Sequence, residues 1–174
     1  MAIPKLTFVI GGAASGKSAY AEELVIRSEK SKVYLATAQA FDDEMRAKIR
    51  LHIDRRGPDW TKIETPLEAG ATLSTLTGDQ ICLLDCATMW LSNQMLSEND
   101  LAARQSDLLE AISTCAADLV VVSNEVGQGV VPDTPLGRKF REAQGRLNIE
   151  LAARADLVVQ VVVGLPNVLK GSGF

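Results

Sequence analysis

The sequence predicts an α/β protein, a three-layer sandwich in which a mainly parallel sheet lies between helices. Three observations lead there. Five short apolar runs recur along the 174 residues, helical patterns separate them, and a glycine-rich octapeptide follows the first run directly. The runs are Leu6–Ile10, Val33–Thr37, Ile81–Asp85, Leu119–Ser123 and Leu157–Val163. Each carries Val, Ile or Leu at consecutive rather than alternating positions, the pattern of a strand buried on both faces.

The helices follow from apolar residues at spacings of three and four. Ala21, Leu24, Val25 and Ser28 share one face after the glycine loop. Leu101, Leu108, Leu109, Ile112 and Cys115 form a second stripe, with Asn99 or Asp100 as its cap. Leu136, Phe140, Ala143, Leu147 and Leu151 form another, and a further helix is expected from Asp42 to about Arg55. Strands alternating with helices imply βαβ units with right-handed crossovers and ligands at the carboxyl ends of the strands. No repeat, low-complexity tract or linker interrupts the chain, so residues 1–174 read as a single domain.

Composition narrows the function classes. Hydrophobic residues make up 47% and charged residues 23%, as in a soluble globular protein, and no run reaches the length of a membrane span. The net charge of −4 argues against a nucleic-acid partner. Lys5 and the early glycines leave no signal peptide, so the cytoplasm is the expected location. Cys82, Cys86 and Cys115 are odd in number and contain no CxxC pair, which points to reduced thiols rather than disulfides or a zinc site.

An acidic protein that binds a polyanion must gather positive charge locally, and the octapeptide does so. Gly11, Gly12, Ala13, Ala14, Ser15, Gly16, Lys17 and Ser18 read GGAASGKS, a match to G-x-x-x-x-G-K-[ST] between a strand and a helix. The glycines let backbone N–H groups curl around phosphate oxygens, and the helix beginning near Lys17 adds its dipole. Lys17 can reach the β and γ phosphates and the Ser18 hydroxyl can ligate Mg²⁺. The chain therefore reads as a P-loop nucleotide-binding enzyme. Asp85 ends an apolar run where a second metal-holding group is expected. Glu125, just past Leu119–Ser123, is either a base or holder of metal-bound water, or a loop carboxylate.

Four segments together resemble one family: GGAASGKSAYAEEL, YLATAQAFDDEMRAKIRLHIDRRGPDW, LLDCATMWLSN and VVSNEVGQGVVPDTPLGRKFREAQGRLN. The chain is similar to the bifunctional adenosylcobinamide kinase/adenosylcobinamide-phosphate guanylyltransferases from about residue 6 to residue 170. The resemblance implies a RecA-like P-loop NTPase fold, Mg²⁺, and ATP and GTP as substrates. It implies phosphorylation of the aminopropanol hydroxyl of adenosylcobinamide, then transfer of GMP to that phosphate through a histidine phosphoramidate, in cobalamin biosynthesis. His52, the chain's one histidine, stands at the family's nucleophile position. A lone helical histidine is otherwise more often packed or solvated.

The resemblance also places Glu64 among the nucleotide-binding residues and matches Trp60 and Trp90, which would border a ligand or pack in the core. It implies a homo-oligomer, a trimer. Arg46, Lys48, Arg50, Arg55 and Arg56 surround His52, and Arg138 and Arg141 lie three apart on a later helix. Some would neutralise triphosphate charge; for most a solvated helix face suffices. Two departures stand out. Ala14 replaces an arginine frequent in the family, which removes a cation but leaves the backbone donors and Lys17, and Ala87 replaces a leucine in a packing position. Two other functions suit the P-loop: a small-molecule kinase without the guanylyl step, and a nucleotide-dependent binding or regulatory switch.

Overall fold

The computed structural model describes residues 3–38 and 58–172. The five apolar runs all become strands, and two more join them. In chain order these are β1 (Leu6–Gly11), β2 (Ser31–Ala36), β3 (Trp60–Glu64), β4 (Gln80–Asp85), β5 (Asp118–Asn124), β6 (Leu157–Val162) and β7 (Leu165–Lys170). They form one sheet in the order β3-β2-β4-β5-β1-β6-β7. Pairings are parallel throughout except the last, where β7 returns antiparallel along β6.

The helices are α1 (Lys17–Ile26), α2 (Ala69–Leu73), α3 (Ala87–Leu96), α4 (Leu101–Thr114) and α5 (Pro135–Arg154). Their starts follow local chemistry. The Asp100 carboxylate accepts from the amides of Ala102 and Ala103, which settles the cap of α4 on Asp100. Thr134 caps α5 through Gly137 N, with Pro135 at the first helical position. Cys86 opens α3 with its thiol, which accepts from Met89 N at 3.4 Å. The helix expected at residues 42–55 lies outside the described residues.

Strand alternation divides the core in two. Phe8, Val33, Leu35, Cys82, Leu84, Leu119 and Val121 face α2, α3, α4 and α5, where Trp90, Leu91, Leu108, Ile112, Leu147 and Leu151 close over them. Val9, Tyr34, Ile81, Leu83, Val120, Val122 and Val159 face Ala21, Leu24 and Val25 of α1. Helices on both faces of a central sheet make the three-layer sandwich. No helix among the described residues is long and apolar enough to cross a membrane. Cys82, Cys86 and Cys115 are all free and buried.

Candidate nucleotide site

The glycine loop leaves β1 at the carboxyl edge of the sheet and enters α1 at Lys17. Gly16 takes φ +91° as the residue before the helix, a left-handed conformation open to glycine. Ala14 takes φ +54°. No side chain caps α1, which leaves its first-turn N–H groups to an anion. A side chain at Gly11 would stand 2.5 Å from Ser15 Oγ and 2.6 Å from the Val161 carbonyl oxygen, so the loop fits only against a bare backbone there. The turn between β6 and β7 braces the loop from outside, with Gly164 N donating to Ser15 O at 2.8 Å.

Lys17 folds back and donates from Nζ to Gly12 O at 3.1 Å. Burial holds its ammonium below the usual lysine range, while Cys86 and Asp85 pull it back up. Asp85 ends β4 on the α1 face, in step with Ile81 and Leu83, and accepts from the Tyr34 hydroxyl at 3.4 Å. Burial, then the Asp85 charge, pushes the Cys86 thiol up to about 11, so it stays protonated at neutral pH and is no nucleophile. Thr37 ties the ends of β2 and β4 together: its hydroxyl donates to Cys86 O at 2.7 Å and accepts from Cys86 N at 2.9 Å.

Behind β5 lies a buried polar network. The Ser123 hydroxyl donates to Asn148 Oδ1 at 2.6 Å and accepts from Gln144 Nε2 at 2.9 Å. Asn148 Nδ2 donates to Asn124 O at 3.1 Å, and Asn124 N donates to Thr88 Oγ1 at 2.7 Å. Glu125 N donates to Gly11 O at 3.0 Å. The end of β5 is thus pinned to α3, to α5 and to the start of the phosphate loop.

Glu125 is partly exposed, and its two carboxylate oxygens accept from the amides of Gly127 at 2.8 Å and Gln128 at 3.0 Å, closing its own loop. Arg138 donates to the carbonyls of Pro132 and Asp133, and Arg141 to that of Gly127, so both guanidiniums hold the same loop. The structure thus brings the glycine loop, Lys17, Ser18 and Asp85 to one edge.

Glu64 stands farther along the same edge, level with Asp85. It is exposed at the end of edge strand β3, paired with Lys62. Four strand spacings, about 19 Å, separate it from β1. Trp90 is core: it is 2% exposed, and its indole N–H donates to Leu67 O at 3.0 Å. Trp60 packs at the amino end of β3, away from the loop. His52 and the basic residues at 46–56 lie outside the described residues.

A cation that bridges phosphates is held by few protein oxygens, and Mg²⁺ typically takes one or two carboxylates plus phosphate and water. Among the described residues no group of three metal-binding side chains occurs. The Ser18 hydroxyl and the Asp85 carboxylate, hard oxygen donors beside the loop, suit such a cation.

Comparison with known proteins agrees with this geometry. The fold resembles the RadB recombinase (TM-score 0.52, 18% identity, 90% of this chain and 74% of that one). It also resembles an ATPase of a bacterial type III secretion system (TM-score 0.57, 11% identity, 94% of this chain and 56% of that one). The architecture is that of the RecA-like P-loop NTPases. The bifunctional adenosylcobalamin biosynthesis protein CobP of Pseudomonas aeruginosa is 41% identical over 166 residues, spanning 94% of this chain and 96% of that protein. The corresponding CobU proteins of Salmonella typhimurium and Escherichia coli are 39% and 35% identical, each over 92% of this chain and 97% of theirs. The family profile described as cobinamide kinase / cobinamide phosphate guanyltransferase matches residues 7–169, and the chain belongs to that family.

Proposed function

We propose that this chain is an adenosylcobinamide kinase and GTP:adenosylcobinamide-phosphate guanylyltransferase of cobalamin biosynthesis, acting in the cytoplasm. The observation that carries the reading is the meeting of Lys17, Asp85 and the uncapped start of α1 at one sheet edge, in a chain matched to this family over residues 7–169. A binding switch has no need of the nucleophile that the family resemblance assigns to His52.

In the kinase step the backbone N–H groups from Gly11 to Ser18 and the Lys17 ammonium hold the triphosphate, and the corrinoid hydroxyl attacks the γ-phosphorus. Loss of the nucleoside diphosphate leaves the corrinoid phosphorylated. In the guanylyl step a His52 ring nitrogen attacks the α-phosphorus of GTP. The P–O bond to pyrophosphate breaks as the P–N bond forms. An oxygen of the corrinoid phosphate then displaces the histidine, and GMP passes to the substrate. Ser18 and Asp85 would hold Mg²⁺, which when bound neutralises phosphate charge.

Incubation with Mg²⁺ and α-³²P-labelled GTP, followed by denaturation, tests the covalent step. Wild-type protein should carry acid-labile, alkali-stable label, and His52→Ala should carry none. A folded, GTP-binding wild type without label would overturn the phosphoramidate and leave a kinase alone.

A further inference from the structure

We propose that Val163, at the tip of the β6–β7 hairpin, is a platform for the base of the nucleotide that gives up its γ-phosphoryl group. The inference rests on the nucleotide reading above and adds a base contact to it.

Val163 and Gly164 are the two residues between the paired ends Val162 and Leu165. Both take positive φ, +46° and +80°. A two-residue hairpin of this kind favours Asn, Asp or Gly at its first position, and a branched side chain there is strained. Val163 is also 83% exposed, so neither core packing nor turn chemistry accounts for it. Strained residues persist where their surroundings hold them, and they cluster at ligand sites.

The surroundings here are the phosphate loop. Gly164 N donates to Ser15 O at 2.8 Å, and a Cβ at Gly16 would stand 3.1 Å from Gly164 Cα. The hairpin tip is thus fixed against the loop by the residue that follows Val163. Sheet order supplies a direction. Asp85 ends β4, two strands from β1 on one side, whereas β6 and β7 flank β1 on the other. A triphosphate whose terminal end lies toward Asp85 extends its nucleoside toward the hairpin. A purine presents a broad apolar face, and Val163 gives that face apolar surface to cover.

The test is calorimetric titration of the intact chain with Mg·ATP and with Mg·tripolyphosphate, which has no base. ATP is the nucleotide used because GTP also serves the guanylyl step. Val163→Asn suits the turn but removes the apolar surface, so stability and affinity should part. The variant should melt no lower than wild type yet bind ATP about three- to tenfold more weakly, with tripolyphosphate binding within about twofold. Val163→Phe offers a larger face and should match or exceed wild-type affinity for ATP. An asparagine variant that binds ATP like wild type overturns the inference. So does one that loses tripolyphosphate equally, which marks an effect on the loop. A fall in molecular mass by light scattering would assign the tip to a contact between copies and overturn it as well. A wild type that binds neither probe overturns the nucleotide reading beneath it.

Discussion

Asn148 on α5 is the centre of the network behind the phosphate edge, and its replacement by alanine should cost about 2 kcal/mol. Alanine removes the acceptor of the Ser123 hydroxyl and the donor to Asn124 O. Gln144 Nε2 loses one acceptor but keeps Ser123 Oγ at 2.9 Å. The Ser123 hydroxyl keeps Thr88 Oγ1 at 3.2 Å, so one group, the part-buried Asn124 carbonyl, loses its side-chain partner, at about 1–3 kcal/mol. For a chain of this length each kcal/mol lowers the melting temperature by about 2–4 °C, so the variant should melt about 4–8 °C below wild type. Differential scanning calorimetry and urea unfolding measure this directly. The double variant with Ser123→Ala should fall short of the sum of the single effects, because either change alone already removes the shared Ser123–Asn148 bond. A melting temperature within about 1 °C of wild type would refute the idea that these bonds hold the end of β5.

Two further outcomes follow from the loop itself. Bound triphosphate favours the Lys17 ammonium, whereas burial lowers its value from the ordinary 10.5 in the free protein. Mg·GTP affinity should thus be level near neutrality and fall on the alkaline side, starting below that ordinary value, by at most about tenfold per pH unit. The free protein's own stability should rise over the same window, since there the unfolded chain binds the proton more tightly. An affinity that holds level through the alkaline range would show that Lys17 does not carry the phosphate charge. Gly11→Ala drives a methyl group to 2.6 Å from the Val161 carbonyl, a backbone atom that cannot rotate away, whereas Gly12→Ala meets nothing within 4 Å. The first should weaken GTP binding by about tenfold or more and the second by little. Equal affinities in the two variants would remove the fit argument.

The central strands were legible because burial on both faces makes their sequences continuously apolar, as in Val120, Val121 and Val122 of β5. The edges were not. β3 reads Trp-Thr-Lys-Ile-Glu, with three exposed residues among five, and β7 is exposed at all six positions and contains Pro166. An edge strand needs no apolar run, and proline is tolerated there. α3 escaped because its cap is a cysteine thiol rather than a hydroxyl or carboxylate, and α2 is five residues long. In the site, the loop, Lys17 and Asp85 follow from motif and strand end. That β5 lies between the loop's strand and the strand ending in Asp85 is a matter of strand order, a property of the whole chain that no local window contains.

The brace from Gly164 to Ser15 joins the last hairpin to the first loop across almost the entire sequence. The phosphate loop is encoded early in this sequence, yet its outer support is synthesised long after it. A growing chain exposes GGAASGKS long before β6 and β7 can seat against it. The outer brace of the loop thus arrives only with the hairpin, so one wall of the phosphate loop is supplied by a segment far from it in sequence.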